Sequence, residues 1–266
     1  MGSATAITCS PLLAAANEPA AVQNASLRNT NTPPPRLQHL SLLTATPLNE
    51  MAAFYKNVLE MEVQLKDKSL GIQAGGTQIK FSPAPDQSRP YYHFAFNIPE
   101  NKILSARKWL GKKTQLAVTP PQFRERNFPN EVRPLSFWNS HSLYFWDPAG
   151  NILELICRHD MKNATKGEFH REEILYASEI GLVATGTVNT LANEIMSTFQ
   201  LPQYRGGGAD FRAIGDETGL FVLFSQGGTP IGARNGQTWR VFPTDVSVRA
   251  NIKLKARQLP HFIKTN

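Results

Sequence analysis

The sequence has few cysteines, few charged residues and no long apolar run, and each shortage excludes a class of protein. Only two of its 266 residues are cysteine, and Cys9 and Cys157 lie too far apart to imply a disulfide framework. No apolar stretch reaches the roughly 18 residues that a membrane-spanning helix needs. Charged residues make up 18% and hydrophobic residues 41%, enough to bury one large core or two small ones. We therefore expect a globular, cytoplasmic protein with no membrane partner.

The net charge of +7 suggests nucleic-acid binding until the charges are located. The stretch from Arg240 to the end carries +5 of the total, and no aromatic residues stand between its basic residues Arg249 and Arg257 to stack on bases. We predict that residues 251–266 form a solvated basic tail and that nucleic acid is not a partner. Residues 1–36, rich in Ala, Asn, Thr and Pro, are predicted to form a disordered leader. A signal peptide is disfavoured because no Lys or Arg precedes their short apolar patch.

The order strand, helix, strand, strand, strand recurs along the chain. In the first copy, a strand at residues 37–43 precedes a helix whose apolar residues between Met51 and Leu59 recur at spacings of three and four. A second copy starts near Tyr91, and a proline-rich loop at residues 119–137 interrupts it. A third copy starts at Ser178. We predict an α+β fold, with one module at residues 37–158, a linker at residues 159–177 and a third unit at residues 178–250.

Three residues on three different predicted strands are candidate metal ligands: His39, His93 and Glu154. Because strand side chains alternate between faces, each lies opposite bulky apolar neighbours. A glutamate between Leu153 and Leu155 would be costly to bury without a positive partner. Two imidazoles and one carboxylate suit a divalent metal such as Fe(II) and leave positions open for substrate and oxygen. The alternative is that they are ordinary half-buried or edge residues.

The third copy is expected to lack a metal ligand. When the residues after the two opening strands are aligned, His39 falls on Ile180. A third unit without a partner copy also leaves a sheet edge that the tails or a second subunit could cover. A homodimer is therefore expected.

Residues 39–42 (HLSL), 54–59 (FYKNVL) and 143–154 (LYFWDPAGNILE) resemble the vicinal oxygen chelate superfamily. This group contains glyoxalases, bleomycin-resistance proteins and extradiol dioxygenases. In the third stretch, an Asp-Pro-x-Gly turn precedes the strand that carries Glu154. The resemblance implies paired βαβββ units that form a curved, partly open mixed β-sheet around a metal cleft. It also implies that His39, His93 and Glu154 are the ligands.

Other stretches are similar to bacterial proteins of the catechol-2,3-dioxygenase-like type, namely residues 92–99, 138–142, 178–182 and 215–221. This similarity implies a ring-cleaving, extradiol-type dioxygenase that acts on a catechol-like or other vicinal-oxygen small molecule. The implied cofactor is a divalent metal ion, with Fe(II) favoured and Mn, Zn or Ni as alternatives.

The same similarity implies roles for residues around the metal. Tyr144 matches the tyrosine that hydrogen-bonds substrate in extradiol dioxygenases. The histidine that those enzymes carry shortly before this tyrosine is missing, which leaves His141 as the nearest acid–base candidate. Tyr91, Asn97 and Trp138 are predicted to contact the substrate.

Two other functions stay open. The first is a redox-neutral isomerase, lyase or thiol transferase of the same superfamily. Glyoxalase-type sites use a second glutamate from the middle strands, whereas no acidic residue occurs between Asp67 and Asp86. The second is a non-catalytic, resistance-type protein that binds a small molecule, although such relatives typically lack the three metal ligands.

Overall fold

The computed structural model describes residues 36–85, 88–234, 236–249 and 262–265, which contain three α-helices and thirteen strands. The helices are α1 (Leu48–Asn57), α2 (Ile103–Leu110) and α3 (Val188–Phe199). The strands are β1 (Leu37–Thr44), β2 (Glu62–Lys66), β3 (Ser69–Ala74), β4 (Thr77–Pro83), β5 (His93–Ile98), β6 (Val132–Leu135), β7 (Ser140–Trp146), β8 (Ile152–Arg158), β9 (Tyr176–Ala184), β10 (Phe211–Asp216), β11 (Gly219–Ser225), β12 (Asp245–Val248) and β13 (Phe262–Thr265). No helix among these residues is long and apolar enough to cross a bilayer.

The strands form two mixed sheets. One has six strands in the order β13-β12-β1-β4-β3-β2, and the other has seven in the order β10-β11-β9-β5-β8-β7-β6. The first strands of the second and third units, β5 and β9, lie antiparallel in one sheet, and β1 lies antiparallel to β12 in the other. In each of the three units the last strand lies parallel to the first, as β4 does to β1, β8 to β5 and β11 to β9. The first two units have the predicted βαβββ order, whereas the third has one strand fewer, β9-α3-β10-β11. The α+β class is confirmed.

The pairing of the units differs from the predicted arrangement. The second unit shares its sheet with the third, whereas the first unit lies in the other sheet. Residues 37–158 thus contribute to both sheets, and the predicted linker at residues 159–177 includes the start of β9. Because β9 pairs with β5, the third unit has a partner within the chain, and the homodimer stays a prediction.

Alternation along the central strands separates the core from an inner face. Leu40 and Leu42 of β1, Phe94 and Phe96 of β5, and Ile180 and Leu182 of β9 all enter one large apolar core. Each helix packs on the strands of its own unit, which covers this core on the helical side. The intervening residues of β5, His93, Ala95 and Asn97, point to the opposite face. The inner face of the seven-stranded sheet is called the cleft below.

Two local predictions fail for reasons of tertiary structure. Residues 116–118 (Leu-Ala-Val) are an apolar run whose pattern alone predicts a strand, but they form none, although the Ala117 amide donates to the Tyr144 carbonyl at 2.8 Å. Conversely, β6 lies inside the predicted proline-rich loop, where pairing with β7 orders it at the edge of the sheet. Pro134 is tolerated there because an edge strand can lack one donor.

The two predicted tails lie mostly outside the described residues. Of the leader at residues 1–36, only Arg36 is described, and its guanidinium pairs with Asp216. Of the basic tail at residues 251–266, residues 262–265 form β13, which lies parallel to β12. The predicted tail therefore includes a strand at the edge of the six-stranded sheet.

Gly75 forms the turn between β3 and β4, where the first unit contacts the segment entering β9. Its φ is +53°, and a Cβ atom there would lie 2.1 Å from the Leu175 carbonyl oxygen and 2.4 Å from that of Ile174. The neighbouring Gly76 amide donates to the same Leu175 oxygen at 2.8 Å. Gly75→Ala is expected to lower the free energy of unfolding by roughly 3 kcal/mol or more, measured by urea denaturation, because it adds overlap to backbone strain.

Gly167→Ala is the matched control. Gly167 also has a positive φ, +81°, but no described atom lies within 4 Å of the added Cβ. The substitution adds only backbone strain, so the free energy of unfolding is expected to fall by about 1 kcal/mol. Equal losses in the two variants would show that the close approach at Gly75 does not constrain the fold.

Candidate metal centre

His93 of β5, Glu154 of β8 and Glu179 of β9 converge in the cleft. One ligand atom from each lies within 4.8 Å of the other two, and all three residues are buried. His93 Nε2 lies 3.5 Å from Glu154 Oε2 and 3.7 Å from Glu179 Oε2. No other such group of three occurs among the described residues.

The register of the sheet produces this convergence. Ala95 of β5 pairs with Glu154 on one side and with Glu179 on the other, so the two carboxylates flank a small residue in one row. His93 is the next residue of β5 on the same face and lies above them. The side chains adjoining these ligands in sequence, such as Leu153 and Ile180, point into the apolar core. Strand alternation therefore fixes all three ligand directions.

The tautomer of His93 leaves one nitrogen available to a cation. Its Nδ1 lies 3.0 Å from the Ile152 carbonyl oxygen. Because a carbonyl can only accept, Nδ1 carries the proton and Nε2 faces the carboxylates. Burial lowers the pKa of His93, but Glu179 and Glu154 outweigh it, and the net shift is upward. The two carboxylates therefore favour a positive charge at this nitrogen.

One oxygen of the Glu154 carboxylate has no close hydrogen-bond partner among the described residues, although the Ser142 hydroxyl and the Tyr144 phenol lie near the group. Burial, with the nearby charge of Glu179, raises the pKa of the Glu154 carboxyl to about 7, although His93 opposes the shift. Its Oε1 is buried and has no hydrogen-bond partner among the described residues. An unsatisfied buried carboxylate oxygen is costly. A divalent ion would satisfy it, and one imidazole with two carboxylates is a donor set that Mn(II) or Fe(II) accepts.

Arg158, also on the cleft face of β8, supplies a buried positive charge beside the ligands. Its Nη2 donates to Glu179 Oε1, and its Nε donates to Asn97 Oδ1 at 3.1 Å. The guanidinium carbon lies 5.4 Å from the Trp138 ring centre and 6.0 Å from that of Tyr204. Hydrogen bonds therefore hold one edge of the guanidinium, and the Trp138 and Tyr204 rings lie near it.

Tyr144 lies directly across from Glu154 in the pairing of β7 with β8. Burial is the main reason that the pKa of its phenol is well above the usual value, and the charges of Glu154 and Glu179 add to the effect. The phenol therefore keeps its proton at neutral pH and can donate a hydrogen bond inside the cleft.

His39, the third predicted ligand, does not join this group. It lies on β1 in the six-stranded sheet, where it is exposed and pairs with Gln78 and Ser247. His39, His93 and Glu179 each stand five residues before the end of the first strand of their unit. His39 is thus the equivalent of His93 in the other sheet.

The neighbours of His39 differ from those of His93. In the six-stranded sheet, Lys80 and Asp245 flank Ser41 in the row that corresponds to Glu154 and Glu179 in the cleft. The equivalent of Glu154 is therefore a lysine, which cannot bind a metal while it is charged. His39 lies in a different sheet from His93 and Glu154, so the three predicted ligands do not form one site.

The third unit was predicted to carry no ligand, whereas Glu179 of β9 is a candidate ligand beside His93 and Glu154. The alignment placed His39 against Ile180, one residue beyond its true counterpart, Glu179. Because alternate residues of a strand face opposite sides, this one-residue error replaced a residue of the cleft by a residue of the core.

His141 points away from the cleft. Leu143 and Phe145 of the same strand enter the core, so His141 lies on their face of β7, opposite to Tyr144. Its Nδ1 lies 2.7 Å from His159 Nε2, its Nε2 lies 2.9 Å from Glu125 Oε2, and its ring stacks on Phe128 at 4.2 Å. His141 therefore lies on the face opposite the candidate ligands, and nothing in the described part of the structure supports its predicted acid–base role.

The three predicted substrate contacts lie in different parts of the cleft. Tyr91 lines a pocket beside His93, together with Trp239 and Phe242. Asn97 accepts from Arg158 at the floor of the cleft, and its amide donates to the Glu217 carbonyl at 2.8 Å. Trp138 lies beyond Arg158, where its Nε1 donates to the Arg205 carbonyl at 2.8 Å. Tyr91 alone of the three borders the pocket at His93.

Sequence reasoning missed Glu179, Arg158 and Trp239. For Glu179 the signal was its distance from the end of its strand, and for Arg158 it was a charge on the same face as Glu154 in an otherwise apolar strand. Trp239 gives no sequence signal: its ring stacks on Phe224 at 3.9 Å and lies 6.4 Å from that of His93. It lies in a segment without regular structure.

Comparison with solved structures identifies the architecture. A Bacillus subtilis protein described as a candidate dioxygenase is 19% identical, with a TM-score of 0.51 over 83% of this chain and 71% of its own. The chain has the vicinal oxygen chelate fold. Glyoxalase I from Zea mays is 14% identical, with a TM-score of 0.48 over 82% of this chain and 75% of its own. The fosfomycin resistance protein FosX from Listeria monocytogenes, a Glu-to-Gln mutant solved with Mn(II), is 20% identical, with a TM-score of 0.34 over 47% of this chain and 91% of its own.

Searches of protein-family models and of curated proteins gave no match to the sequence. The likeness to solved structures therefore confirms the resemblance at the level of the fold, and the chemistry of the site has to be argued from its residues.

Proposed function

We propose that the protein is a metal-dependent enzyme that acts on a small molecule with two vicinal oxygens. The observation that supports this is the convergence of His93 Nε2 with one oxygen each of Glu154 and Glu179 in a buried cluster. The two carboxylates repel each other unless positive charge lies between them, and a divalent ion would supply it to all three groups at once. The free Oε1 of Glu154 supports the same conclusion.

The roles of the residues follow from their positions. His93, Glu154 and Glu179 would hold the ion, which when bound would polarise the substrate oxygens and favour their deprotonation. Tyr144, neutral and next to Glu154, would donate a hydrogen bond to a substrate oxygen. Apolar side chains of the cleft, including Ile156, Leu220 and Val222, would contact a flat ring. Tyr91, which lines the pocket at His93, would contact the substrate at the entrance.

The reaction we propose first is extradiol-type ring cleavage of a catechol-like compound. The position of Tyr144 supports it, as does the likeness to the Bacillus subtilis protein described as a candidate dioxygenase. The preference for Fe(II) rested on two histidines and one carboxylate. With one histidine and two carboxylates, Mn(II) is as well suited as Fe(II) because carboxylates favour harder ions.

One observation favours a second function, a redox-neutral isomerase, lyase or thiol transferase. Its main difficulty was the lack of a second carboxylate, and Glu179 supplies one beside Glu154. Such a carboxylate could move a proton on a metal-bound substrate.

Metal analysis followed by oxygen uptake tests these proposals. Protein purified anaerobically and loaded with Fe(II) or Mn(II) is expected to bind about one ion per chain and to consume oxygen when catechols are added. His39→Ala is expected to retain the full metal content, because His39 lies in the other sheet. Metal binding without oxygen uptake would favour the redox-neutral function. A folded protein that binds no ion would contradict both.

A further inference from the structure

Arg158 is a buried cation that the proposed reaction does not use directly. Only 1% of its surface is exposed. The guanidinium carbon lies 5.4 Å from the Trp138 ring centre and 6.0 Å from that of Tyr204, Nη1 has no hydrogen-bond partner among the described residues, and Asn97 accepts from Nε of Arg158. Its remaining bond is to a carboxylate of the metal cluster.

That bond makes the two carboxylates of the cluster unequal. Glu179 gives Oε1 to Arg158 and turns Oε2 toward His93, at 3.7 Å from Nε2. Glu154 also turns Oε2 toward His93, at 3.5 Å, but its Oε1 is buried and has no hydrogen-bond partner among the described residues. Glu154 can therefore offer two oxygens to an ion, whereas Glu179 can offer one.

We infer that Arg158 is a positioning residue that restricts Glu179 to a single ligand oxygen and thereby keeps a coordination position open for substrate. The inference rests on the proposed function. An octahedral ion has about six coordination positions. His93 would fill one, Glu179 one and Glu154 up to two, which leaves room for both oxygens of a diol. If Glu179 and Glu154 each bound through both oxygens, only one position would remain and the diol could not chelate.

Co(II), whose visible absorption reports its coordination, is the probe for a first test. Wild type, Arg158→Met and Arg158→Lys are loaded with Co(II) and titrated with catechol without oxygen. Arg158→Met is expected to show an altered Co(II) spectrum and to bind catechol about tenfold more weakly or worse, a usual loss when a residue that orients a ligand is removed. Arg158→Lys keeps one charged hydrogen bond to Glu179 and should match wild type in both its Co(II) spectrum and its affinity for catechol.

The outcomes separate the two proposals. If wild type takes up no Co(II), the proposed function fails. If wild type binds Co(II) and catechol and Arg158→Met behaves identically, only the positioning role is overturned. A purely structural arginine would change stability but neither the spectrum nor the affinity for catechol.

A second measurement applies if Arg158→Met does not fold. The infrared difference between metal-loaded wild type and metal-loaded Glu179→Gln isolates the carboxylate bands of Glu179. A wide separation between its two stretching bands indicates binding through one oxygen and supports the inference. A narrow separation indicates binding through both oxygens and overturns it.

Discussion

Glu154→Gln is expected to lower the affinity for Mn(II) or Fe(II) by about 100-fold or more. It removes a charged ligand that lies 3.5 Å from His93 Nε2 and has a second buried oxygen free. Losing an outer residue that only orients a ligand already costs about 10- to 100-fold, so a direct ligand should cost at least the upper value. Competition with a coloured chelator measures the affinity. Glu62→Gln, an exposed carboxylate on β2, is the control and should bind as wild type does.

The same variant should be more stable than wild type when metal is absent. The pKa of Glu154 is raised in the folded protein, to about 7, from an ordinary value of 4.5. A raised pKa means that the carboxyl contributes stability below pH 4.5 and that this is lost as pH rises through about 7. Between pH 4.5 and about 7 the free energy of unfolding of metal-free wild type should fall by up to about 3 kcal/mol, whereas that of Glu154→Gln should not.

Urea unfolding with a chelator at pH 5 and pH 8 measures this difference. A cluster that serves only as a structural ion network predicts the opposite sign, because removing Glu154 would then leave positive charge unpaired. Destabilisation of metal-free Glu154→Gln at pH 8 would therefore count against a metal site.

Arg158→Met is expected to lower the free energy of unfolding by about 3–5 kcal/mol, because it leaves Glu179 buried without its partner. For a chain of this size the melting temperature should fall by roughly 10 °C, which calorimetry measures. Added metal should restore part of the loss, since the ion gives the Glu179 carboxylate a new positive partner. The double variant Arg158→Met with Glu179→Met should also be more stable than Arg158→Met alone.

Arg107→Met provides the matched control. Arg107 forms a comparable two-bond pair with Glu131, at 2.9 and 3.0 Å, but its side chain is 36% exposed. Solvent-exposed ion pairs contribute little to stability, so the free energy of unfolding is expected to fall by no more than about 1 kcal/mol. Equal losses for the two arginines would mean that water reaches the Arg158 pair and weakens it.

Local pattern determined the βαβββ units and the glutamate of the site. The alternation of residues 62–66 and 69–74 and the Gly75-Gly76 turn that follows them predict two strands with the bounds of β2 and β3, because alternation and turns are properties of neighbouring residues. Glu154 was found for the same kind of reason: a charged side chain between two leucines, after an Asp-Pro turn, has to meet a positive partner or remain unsatisfied.

Tertiary structure decided which units pair and therefore which residues meet. His39 and His93 occupy equivalent positions in similar strands, and no local feature states that β5 lies beside β9 rather than beside β1. Pairing between distant strands depends on packing across the whole core, which a local pattern does not encode. Since a one-residue shift exchanges the faces of a strand, only the actual register could show that Glu179, and not Ile180, points into the cleft. The pairing of Arg158 with that glutamate follows from the same register.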